Sequence, residues 1–328
     1  MIELRRTTDQ QLWDDYILEH GGHPLQLWGW GQVKAAHGWS ADRVFAYDED
    51  ERVVAAAQVL TRKLPLPLRA LSYIPRGAVG DKATDPEFLD EVAAYAKRTY
   101  RSVALSIEPD TEVFQAPEGW ERSAHRILPA DTIILDLTLS ENELLNAMAK
   151  KTRQYIRKSA AENIEIRSVR SREELDDLLS IYHDTSDRAK FDLHSDQYYI
   201  DVFNLLGDHS PVFAAYQDGK PIAFLWLAIS ADTAFELYGG MNDIGQELRA
   251  NYALKWHAIR KVREWGLTRY DLGGLINDSV SNFKRNWSDH EATLAGTYDK
   301  PLSGFYAIWR TALPAGKALY RKLRSLRK

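Results

Sequence analysis

The sequence predicts an α/β protein of the α+β type, built from two tandem copies of one structural unit. A chain of 328 residues is long enough for two ordinary domains and too short for three. Residues 43–109 and residues 211–274 repeat the same order of apolar runs, charged turns and amphipathic stretches, although few positions are identical. Hydrophobic residues make up 45% and charged residues 27% of the chain, which is typical of a folded globular protein.

Each copy opens with a predicted β-hairpin. In the first copy, apolar runs at 44–47 and 53–60 flank a short charged turn. In the second copy, the runs at 212–216 and 222–229 flank a turn that contains Gly219. The same local pattern at two places in the chain indicates a duplicated unit.

In the first copy, a third strand, a helix and a fourth strand follow the hairpin. The strands are predicted at 70–74 and 103–107. Asp85 before Pro86 marks the start of the helix between them, because proline suits the first helical position and aspartate suits the cap. One face of this helix is apolar and carries Phe88, Leu89, Val92, Tyr95 and Ala96.

The second copy repeats this order. Strands at 234–239 and 269–272 flank a helix expected over about 248–265, and Gly266 is its expected left-handed end. The residues expected to face the core from this helix are Tyr252, Trp256, Ile259 and Val262. Hairpin, strand, helix and strand, preceded by helices, is the layout of the Gcn5-related N-acyltransferase fold. The sequence therefore predicts two such domains in tandem.

The domain limits and the charge pattern complete this outline. The first domain is expected to comprise residues 1–140 and about 298–328, with the C-terminal tail helix returning to it. The second domain is expected to comprise residues 141–297.

The formal net charge is −5, yet residues 148–172 and 309–328 are strongly basic. Apolar residues recur at helical spacing among the bases of the tail. This pattern predicts an amphipathic helix that either lies on an anionic membrane face or caps the domain.

The composition also excludes several kinds of site. The chain has no cysteine, which excludes disulfides, thiolate metal sites and a cysteine nucleophile. Its nine histidines show no metal-binding spacing, and there is no Gly-x-Ser-x-Gly turn of a serine hydrolase. No run of about 18 apolar residues occurs, and the amino terminus lacks the apolar run of a signal peptide, so a cytoplasmic protein is expected.

Four motifs, in order along the chain, resemble those of the Fem family of peptidoglycan bridge enzymes. They are Leu27-Trp28-Gly29-Trp30-Gly31-Gln32-Val33-Lys34, Ser72-Tyr73-Ile74-Pro75-Arg76-Gly77, Glu236-Leu237-Tyr238-Gly239-Gly240 and Asn282-Phe283-Lys284. The resemblance covers nearly the whole chain. It implies a transferase that moves an amino acid from aminoacyl-tRNA to the side-chain amine of the third stem-peptide residue of a peptidoglycan precursor. The acceptor would be lipid II or UDP-MurNAc-pentapeptide.

The same resemblance implies a monomer that needs no cofactor beyond aminoacyl-tRNA as co-substrate. Residues 180–213 leave no room for the helical arm of several relatives, so the chain resembles the compact members. The basic helix expected over 150–158 would bind the acceptor stem of tRNA, or it is an ordinary solvated helix. With a lipid-linked acceptor, the tail at 309–328 would contact the inner face of the membrane.

Five residues are assigned to precursor binding by the resemblance. Lys34 would meet the phosphate, with an ordinary solvated lysine as the alternative. Tyr198 and Tyr238 match substrate-contacting tyrosines, and Arg76 lies in the second motif. His194 stands where compact relatives tend to have a phosphate-binding arginine, so a weaker contact is expected there. The residues that would otherwise serve this contact are Arg188 and Lys190.

Three residues are assigned to catalysis. By resemblance, Lys284 after Phe283 lies where the aminoacyl ester is attacked, and a cation there would stabilise the charge that develops on the carbonyl and ribose oxygens. Its alternative is a surface lysine. Glu108 falls where relatives have an acidic residue near the incoming amine, and it would take a proton from the amine, hold it in place, or serve only the structure.

Two other functions remain open from the sequence. An acyl-CoA-dependent acyltransferase would share the fold, but it needs a glycine-rich turn whose amides hold a pyrophosphate, and the loops at 76–80 and 241–248 supply this poorly. A non-catalytic protein that binds precursor or tRNA is the second alternative. The presence of Lys284 argues against it.

Overall fold

A computed structural model describes residues 2–276 and 278–311 of the chain. The strands within these residues are β1 (Glu3–Thr7), β2 (Trp39–Tyr47), β3 (Val53–Lys63), β4 (Ala70–Ile74), β5 (Ser102–Ile107), β6 (Glu121–Arg122), β7 (Asp131–Thr132), β8 (Ile134–Asp136), β9 (Glu165–Ser168), β10 (Val212–Gln217), β11 (Lys220–Ile229), β12 (Thr233–Met241), β13 (Arg269–Asp271), β14 (Ala292–Thr293) and β15 (Tyr298–Pro301). The α-helices with both ends in these residues are α1 (Gln10–Glu19), α2 (Trp28–Ala36), α3 (Pro86–Tyr100), α4 (Glu141–Ala147), α5 (Lys150–Ala160), α6 (Arg172–Ala189), α7 (Asp196–Leu206), α8 (Asp243–Glu247), α9 (Ala250–Glu264) and α10 (Asp278–Arg285). Short 3-10 helices span Pro24–Gln26 and Gly207–His209.

Among the described residues, the first of two compact units comprises residues 2–13, Gly38–Leu128 and residues 294–311. Its sheet has the strand order β1-β2-β3-β4-β5-β15-β6. Strands β4 and β5 are parallel, and the other neighbours are antiparallel. Helix α3 packs its apolar face on this sheet, so that Phe88 and Val92 join one core with Val59 and Leu105.

The second unit comprises Asp14–His37 and Pro129–Thr293. Its main sheet has the order β8-β13-β12-β11-β10-β9, in which β12 and β13 are parallel and the other neighbours antiparallel. Strands β7 and β14 form a separate two-stranded ladder. Helix α9 covers one face of the main sheet, where Leu225 and Leu227 pack with Leu254 and Ala258.

The predicted repeat is present in both units. Each has a hairpin (β2–β3 or β10–β11), a third antiparallel strand (β4 or β12), a helix (α3 or α9) and a strand that returns parallel to the third (β5 or β13). Beyond that parallel strand, the next place in each sheet is taken by a segment from outside the repeat, β15 in the first unit and β8 in the second. Two tandem acyltransferase-like domains are therefore confirmed.

The helix signals of the first copy are also confirmed. The side chain of Asp85 accepts a hydrogen bond from the Glu87 N–H, and Pro86 is the first residue of α3. Four of the five residues expected to face the core are buried. Tyr95 is half-buried, and its hydroxyl donates to Oδ2 of the buried Asp42 at 2.7 Å.

The helix of the second copy differs from its prediction in one respect. Gly266 has the expected left-handed backbone, with φ +92°, and Ile259 and Val262 are buried. Tyr252 and Trp256 are only partly buried, and Lys255 is buried between them beside Ala253 and Leu254. The apolar stripe of α9 is therefore interrupted by a charge that requires a partner inside the unit.

Residues 14–37 pack with the second unit, whereas the predicted boundary at residue 140 assigned them to the first domain. A close approach of α2 to α7 accounts for this grouping. A Cβ built on Gly29 would lie 2.3 Å from the Leu205 carbonyl oxygen, so any other residue would push the two helices apart. Residues 190–195 alone connect α6 to α7, which agrees with the expected absence of a helical arm.

Two findings concern ions and membranes. No helix among residues 2–276 and 278–311 is both long and apolar enough to cross a bilayer. The same residues contain no cluster of three or more potential metal ligands. Residues 306–311 are helical, and most of the predicted amphipathic tail lies outside the described residues.

Candidate active site

Lys34 lies in a polar and aromatic niche between α2 and α7 of the second unit. Its Nζ donates a hydrogen bond to Tyr198 Oη at 2.8 Å and stands 4.3 Å from the centre of the Trp30 ring. The side chain is half-buried rather than extended into solvent. Lys34 is therefore not an ordinary solvated lysine, because two aromatic neighbours hold its ammonium group in place.

His194 stacks on Tyr198 in the same niche. The ring centres are 4.0 Å apart and the planes 24° apart. Burial lowers the pKa of His194, and the positive charges of Lys34 and His37 lower it further. His194 is therefore mostly neutral at pH 7, which supports the expectation that it contacts a phosphate less strongly than an arginine would.

The two alternatives to His194 differ in their surroundings. Arg188 donates to Asp243 Oδ1 at 2.6 Å and also to the Met241 carbonyl oxygen, so its guanidinium is already engaged. Lys190 ends α6 in a left-handed conformation and is exposed.

Tyr238 belongs to an aromatic cluster that continues from this niche. Its ring lies 5.0 Å from that of Tyr199 and 5.5 Å from that of Trp226, both in edge-to-face geometry. Tyr199 also lies edge-on to Tyr198, with ring centres 5.6 Å apart, and so joins the two tyrosines. Burial raises the pKa of Tyr198 to about 12 and that of Tyr238 well above its usual value, so both phenols stay neutral. Lys34, His194, Tyr198 and Tyr238 thus form one group, which we call the lysine–tyrosine cluster.

A β-bulge in β12 gives this strand two functional faces. Tyr238 pairs with Trp226 of β11, but Glu236 pairs with Leu227, which leaves Leu237 as the extra residue. Residues two apart on a regular strand point to the same face, and one inserted residue reverses that rule. Tyr238 therefore faces α6 and α7, whereas Glu236 faces α9.

Lys284 lies on the α9 side of the sheet, near the end of β13. Its Nζ donates to the carbonyl oxygens of Gly273 and Gly274, both at 3.0 Å. Burial lowers the pKa of Lys284 to about 8, and of the charges nearby Glu236 and Asp271 favour the ammonium while Lys255 opposes it. Lys284 is therefore a largely buried ammonium in a defined position and is not the surface lysine that was the alternative.

An ion pair that sequence reasoning missed lies beside Lys284. Lys255 Nζ contacts both carboxylate oxygens of Glu236, at 2.6 and 2.8 Å, and the Tyr270 hydroxyl donates to Glu236 Oε1 at 2.9 Å. The side chains of Lys255 and Glu236 are only 5% and 9% exposed. The signal in the sequence was a lysine on the inward face of α9, where only apolar residues were expected.

Phe283 contributes packing to the same region. Its ring stands edge-on to Tyr252 at 5.2 Å and to Trp287 at 6.0 Å. Lys255 Nζ lies 5.2 Å from the centre of the Phe283 ring. Phe283 thus fixes the segment that carries Lys284, and together with Lys255 and Glu236 these residues form a group that we call the lysine–glutamate cluster.

Glu108 lies in the first unit and is fully enclosed. Its carboxylate accepts hydrogen bonds from the Leu128 N–H at 2.8 Å, the Thr297 hydroxyl at 2.7 Å and the Tyr73 hydroxyl. Burial and the neighbouring carboxylate raise the pKa of Tyr73 well above its usual value. A carboxylate with three internal donors is satisfied without a substrate, and the structural role is the one of the three alternatives that these bonds favour.

We expect Glu108→Gln to lower the free energy of unfolding by about 1–3 kcal/mol, because the new amide would point N–H groups at groups that are themselves donors. The turnover number should not change. Urea titrations followed by tryptophan fluorescence would measure the first quantity, and exposed Glu112 offers a matched Glu112→Gln control. A hundredfold loss of turnover at unchanged stability would instead make Glu108 a base.

Arg76 lies near Glu108 and is 2% exposed. It adopts φ +43° directly before Gly77, whose N–H donates to the Glu108 carbonyl oxygen at 3.1 Å. The charge of Arg76 also acts on Tyr73. The structure therefore brings Arg76 and Glu108 together in the first unit, and it brings the other six predicted site residues into the two clusters of the second unit.

Comparisons with known proteins agree with this architecture. The FemAB family profile matches residues 118–221 and 212–313, which together span more than half of the chain. A lipid II:glycine glycyltransferase of Staphylococcus epidermidis is 21% identical in an alignment of 393 positions, gaps included, that covers 92% of this chain and 93% of that protein.

Solved structures show the same fold. The crystal structure of FemX aligns with a TM-score of 0.83 at 20% identity, covering 94% of this chain and 100% of the other. A tandem GNAT protein from the clavulanic acid biosynthesis pathway aligns with a TM-score of 0.54 at 12% identity, covering 92% and 99%. On the profile match, which accords with the motifs of the sequence, the chain belongs to the FemAB family.

Proposed function

We propose that this aminoacyltransferase moves an amino acid from aminoacyl-tRNA to the side-chain amine of the stem peptide in a lipid-linked peptidoglycan precursor. Peptidoglycan bridge formation follows from the relatives, one of which is named for lipid II and glycine. The observation that carries the catalytic part is the buried ammonium of Lys284, which is held by two backbone carbonyls.

Lys284 is suited to stabilise the transition state of aminoacyl transfer. Attack of an amine on an ester builds negative charge on the carbonyl oxygen and then on the departing ribose oxygen. Two N–H groups of the ammonium donate to Gly273 and Gly274, and we assign the third to these oxygens. Because the ammonium is largely buried, one such donor is worth more than it would be in solution.

The lysine–tyrosine cluster is suited to bind the precursor. Lys34 offers a cation of fixed position for a phosphate, and the neutral hydroxyls of Tyr198 and Tyr238 offer further donors. We assign the phosphate of the precursor to this cluster, with His194 as a weaker partner. The edge-to-face rings behind these hydroxyls hold them in place, which reduces the entropy lost on binding.

We expect Lys34→Ala to raise the Michaelis constant for the precursor about tenfold or more, because it removes a charge-assisted hydrogen bond. The turnover number should stay within about twofold, since the reacting bond is elsewhere. Steady-state kinetics with varied precursor would measure both constants. Lys220 of the same unit is exposed and provides a Lys220→Ala control. If both variants had the same Michaelis constant for the precursor, Lys34 would not be a precursor-binding residue.

The loops between the third strand and the helix of each unit argue against acyl-CoA as the donor. In the second unit, the N–H groups of Gly245 and Gln246 donate to Asn242, and that of Leu248 donates to Ile244. In the first unit, the N–H groups of Gly77 and Val79 donate to backbone carbonyls. Amides that are already bonded cannot hold a pyrophosphate.

A single incubation tests the proposal. The purified chain is mixed with charged total tRNA and with either lipid-linked or nucleotide-linked precursor, and the products are weighed by mass spectrometry. We expect the lipid-linked precursor to gain the mass of one amino acid residue for each transfer. Transfer from acetyl-CoA, or a gain that survives ribonuclease treatment of the donor, would contradict the proposal.

A further inference from the structure

An exposed apolar turn lies at one end of the sheet of the first unit. It spans residues 64–69 between β3 and β4, and Leu66 at its tip is 79% exposed. Strand pairing places the end of β15 at the same end of the sheet. Phe305 and Ile308 follow that strand and are exposed as well. We call this surface the hairpin patch, and it consists of Arg62, Lys63, Leu66, Arg69, Phe305 and Ile308.

The exposed side chains of the patch stand on a packed base. Leu64 and Leu68, on either side of Leu66, pack against a core cluster that includes Tyr306 and Trp309. This packing fixes both arms of the turn and the start of the following helix. It accounts for Leu64 and Leu68, and it leaves Leu66 outside the core of the described part of the chain.

The backbone of the turn is suited to a nonpolar environment. Pro65 and Pro67 have no N–H group to satisfy. The N–H of Leu64 donates to the Arg69 carbonyl oxygen at 2.7 Å, and that of Leu68 donates to the Pro65 carbonyl oxygen at 3.0 Å. A tip with few free donors can leave water at a small cost in free energy.

The charged residues around the patch are all basic. Three segments lie at this end of the sheet, namely 62–71, 97–102 and 301–311. None of them contains an aspartate or a glutamate. Arg98 pairs with Glu91 at 3.9 Å and Arg310 with Glu121 at 3.5 Å. The bases of these segments that have no carboxylate partner among residues 2–276 and 278–311 are Arg62, Lys63, Arg69, Lys97 and Arg101.

An anionic membrane matches this combination of charge and exposed apolar groups. Peripheral proteins bind such membranes through bases that meet lipid phosphates and apolar side chains that enter the layer below them. Single-stranded nucleic acid would instead require rings on which its bases stack, whereas the tip of the patch is aliphatic. A second copy of the chain, related by a two-fold axis, would bring the like charges of two patches together.

We propose that the hairpin patch docks the chain on the anionic phospholipids of a bilayer. Leu66 enters the layer below the headgroups, and Arg62, Lys63 and Arg69 meet lipid phosphates. The proposal rests on the proposed function, because a lipid-linked precursor is embedded in such a surface. All residues of the patch precede the tail at 309–328, for which the sequence predicts membrane contact.

Sedimentation with phosphatidylglycerol-containing vesicles tests this assignment, with pure phosphatidylcholine vesicles as the reference. We expect the native chain to bind the anionic vesicles preferentially. Leu66→Ser should weaken this binding about fivefold or more, because it removes the inserted side chain. Lys63→Gln should also weaken it about fivefold at low salt, and Leu66→Met should bind like the native chain.

Two exposed residues of the same unit outside the patch provide matched controls. Val113→Ser removes an apolar side chain that is 76% exposed, and Lys82→Gln removes an exposed base. Equal weakening by a patch variant and its control would overturn the assignment, as would equal binding to both kinds of vesicle.

Two other occupants of the patch would be recognised in the same variants. A clear fall in the unfolding midpoint of Leu66→Ser would mean that another part of the chain covers Leu66. A native dimer that Leu66→Ser dissociates, without any vesicle binding, would mean that the patch joins two copies. Either result would overturn membrane docking.

The assignment and the proposed function fail in different ways. Leu66→Ser should raise the Michaelis constant for precursor embedded in anionic vesicles about fivefold and leave that for detergent-dispersed precursor unchanged. If the native chain bound vesicles through the patch but transferred no amino acid, the reaction would fall and the patch would stand. If transfer proceeded normally and Leu66→Ser changed neither vesicle binding nor either constant, the patch would fall and the reaction would stand.

Discussion

Replacing Lys284 with methionine is expected to slow amino acid transfer by about 100-fold or more, while the dissociation constant for the precursor stays within about twofold. Loss of one preorganised donor at a developing oxyanion typically costs about 10²–10³ in rate. Methionine preserves the length of the side chain and removes the ammonium that Gly273 and Gly274 hold. Single-turnover transfer and calorimetric titration with precursor measure the two quantities separately.

The pH dependence of transfer should carry the signature of Lys284. The acceptor amine has an ordinary pKa of about 10.4, so its reactive fraction rises with pH. The pKa of Lys284 is about 8, so the required ammonium is lost above that value. The native rate should therefore rise with pH to about 8 and then level off, because the two changes cancel.

Lys284→Arg separates charge from side-chain identity. Arginine stays protonated throughout this range, so the rate of this variant, although lower, should continue to rise above pH 8. Lys261→Met, at an exposed lysine of α9, is the control for loss of a positive charge and should transfer normally. Full activity in Lys284→Met would remove the catalytic assignment. A native rate that rises steadily past pH 9, with no plateau near pH 8, would show that the protonation state of Lys284 does not control transfer.

Lys255→Met is expected to lower the free energy of unfolding by about 3–5 kcal/mol. Removal of one partner from a buried ion pair leaves the other charge without compensation in a low dielectric, and this costs more than the pair itself contributes. Here the orphaned group would be Glu236, left with the hydroxyl of Tyr270 as its remaining side-chain donor among the contacts described above. Guanidinium titration of the second unit's fluorescence would give the change.

A double variant tests the explanation. Lys255→Met combined with Glu236→Gln should recover most of the lost stability, because no buried charge remains. Lys261→Met breaks the exposed pair with Glu264 on the same helix and should cost at most about 1 kcal/mol. Equal losses in Lys255→Met and Lys261→Met would mean that the Lys255–Glu236 pair is effectively solvated.

The same variant should move the pH profile. Lys255 opposes the ammonium form of Lys284 by repulsion, and Glu236 favours it by attraction. Lys255→Met should therefore raise the pKa of Lys284 and shift the plateau to higher pH, provided that enough folded protein remains. A shift to lower pH would show that the two lysines do not interact as their charges require.

Much of the fold was accessible from hydrophobic periodicity. Strand β4 was predicted at its observed bounds, and α3 was predicted from Asp85 and Pro86, because these signals act within a few residues of the chain. Periodicity did not predict that residues 14–37 pack with the second unit. That grouping depends on Gly29 meeting Leu205, a contact between residues far apart in the chain.

Part of the candidate site could be predicted from the sequence. The motifs predicted Lys34, Tyr238 and Lys284 as site residues and the family resemblance added Tyr198, but neither predicted their partners. The bulge at Leu237, which turns Tyr238 and Glu236 to opposite faces of β12, depends on the register with β11. Register describes how two strands pair, so the sequence of either strand alone does not determine it.

Local pattern was thus sufficient for the duplicated unit and the limits of its helices, since periodicity and capping depend on neighbours in the chain, whereas the candidate site residues were predicted from the family resemblance. The tertiary structure alone decided that Lys34 donates a hydrogen bond to Tyr198, that the Glu108 carboxylate accepts three hydrogen bonds from within the protein, and that Lys255 forms a buried ion pair with Glu236. These contacts join residues that lie 19, 164 and 189 positions apart in the chain. Burial, and with it the lowered pKa of Lys284, arises only when such contacts exclude water.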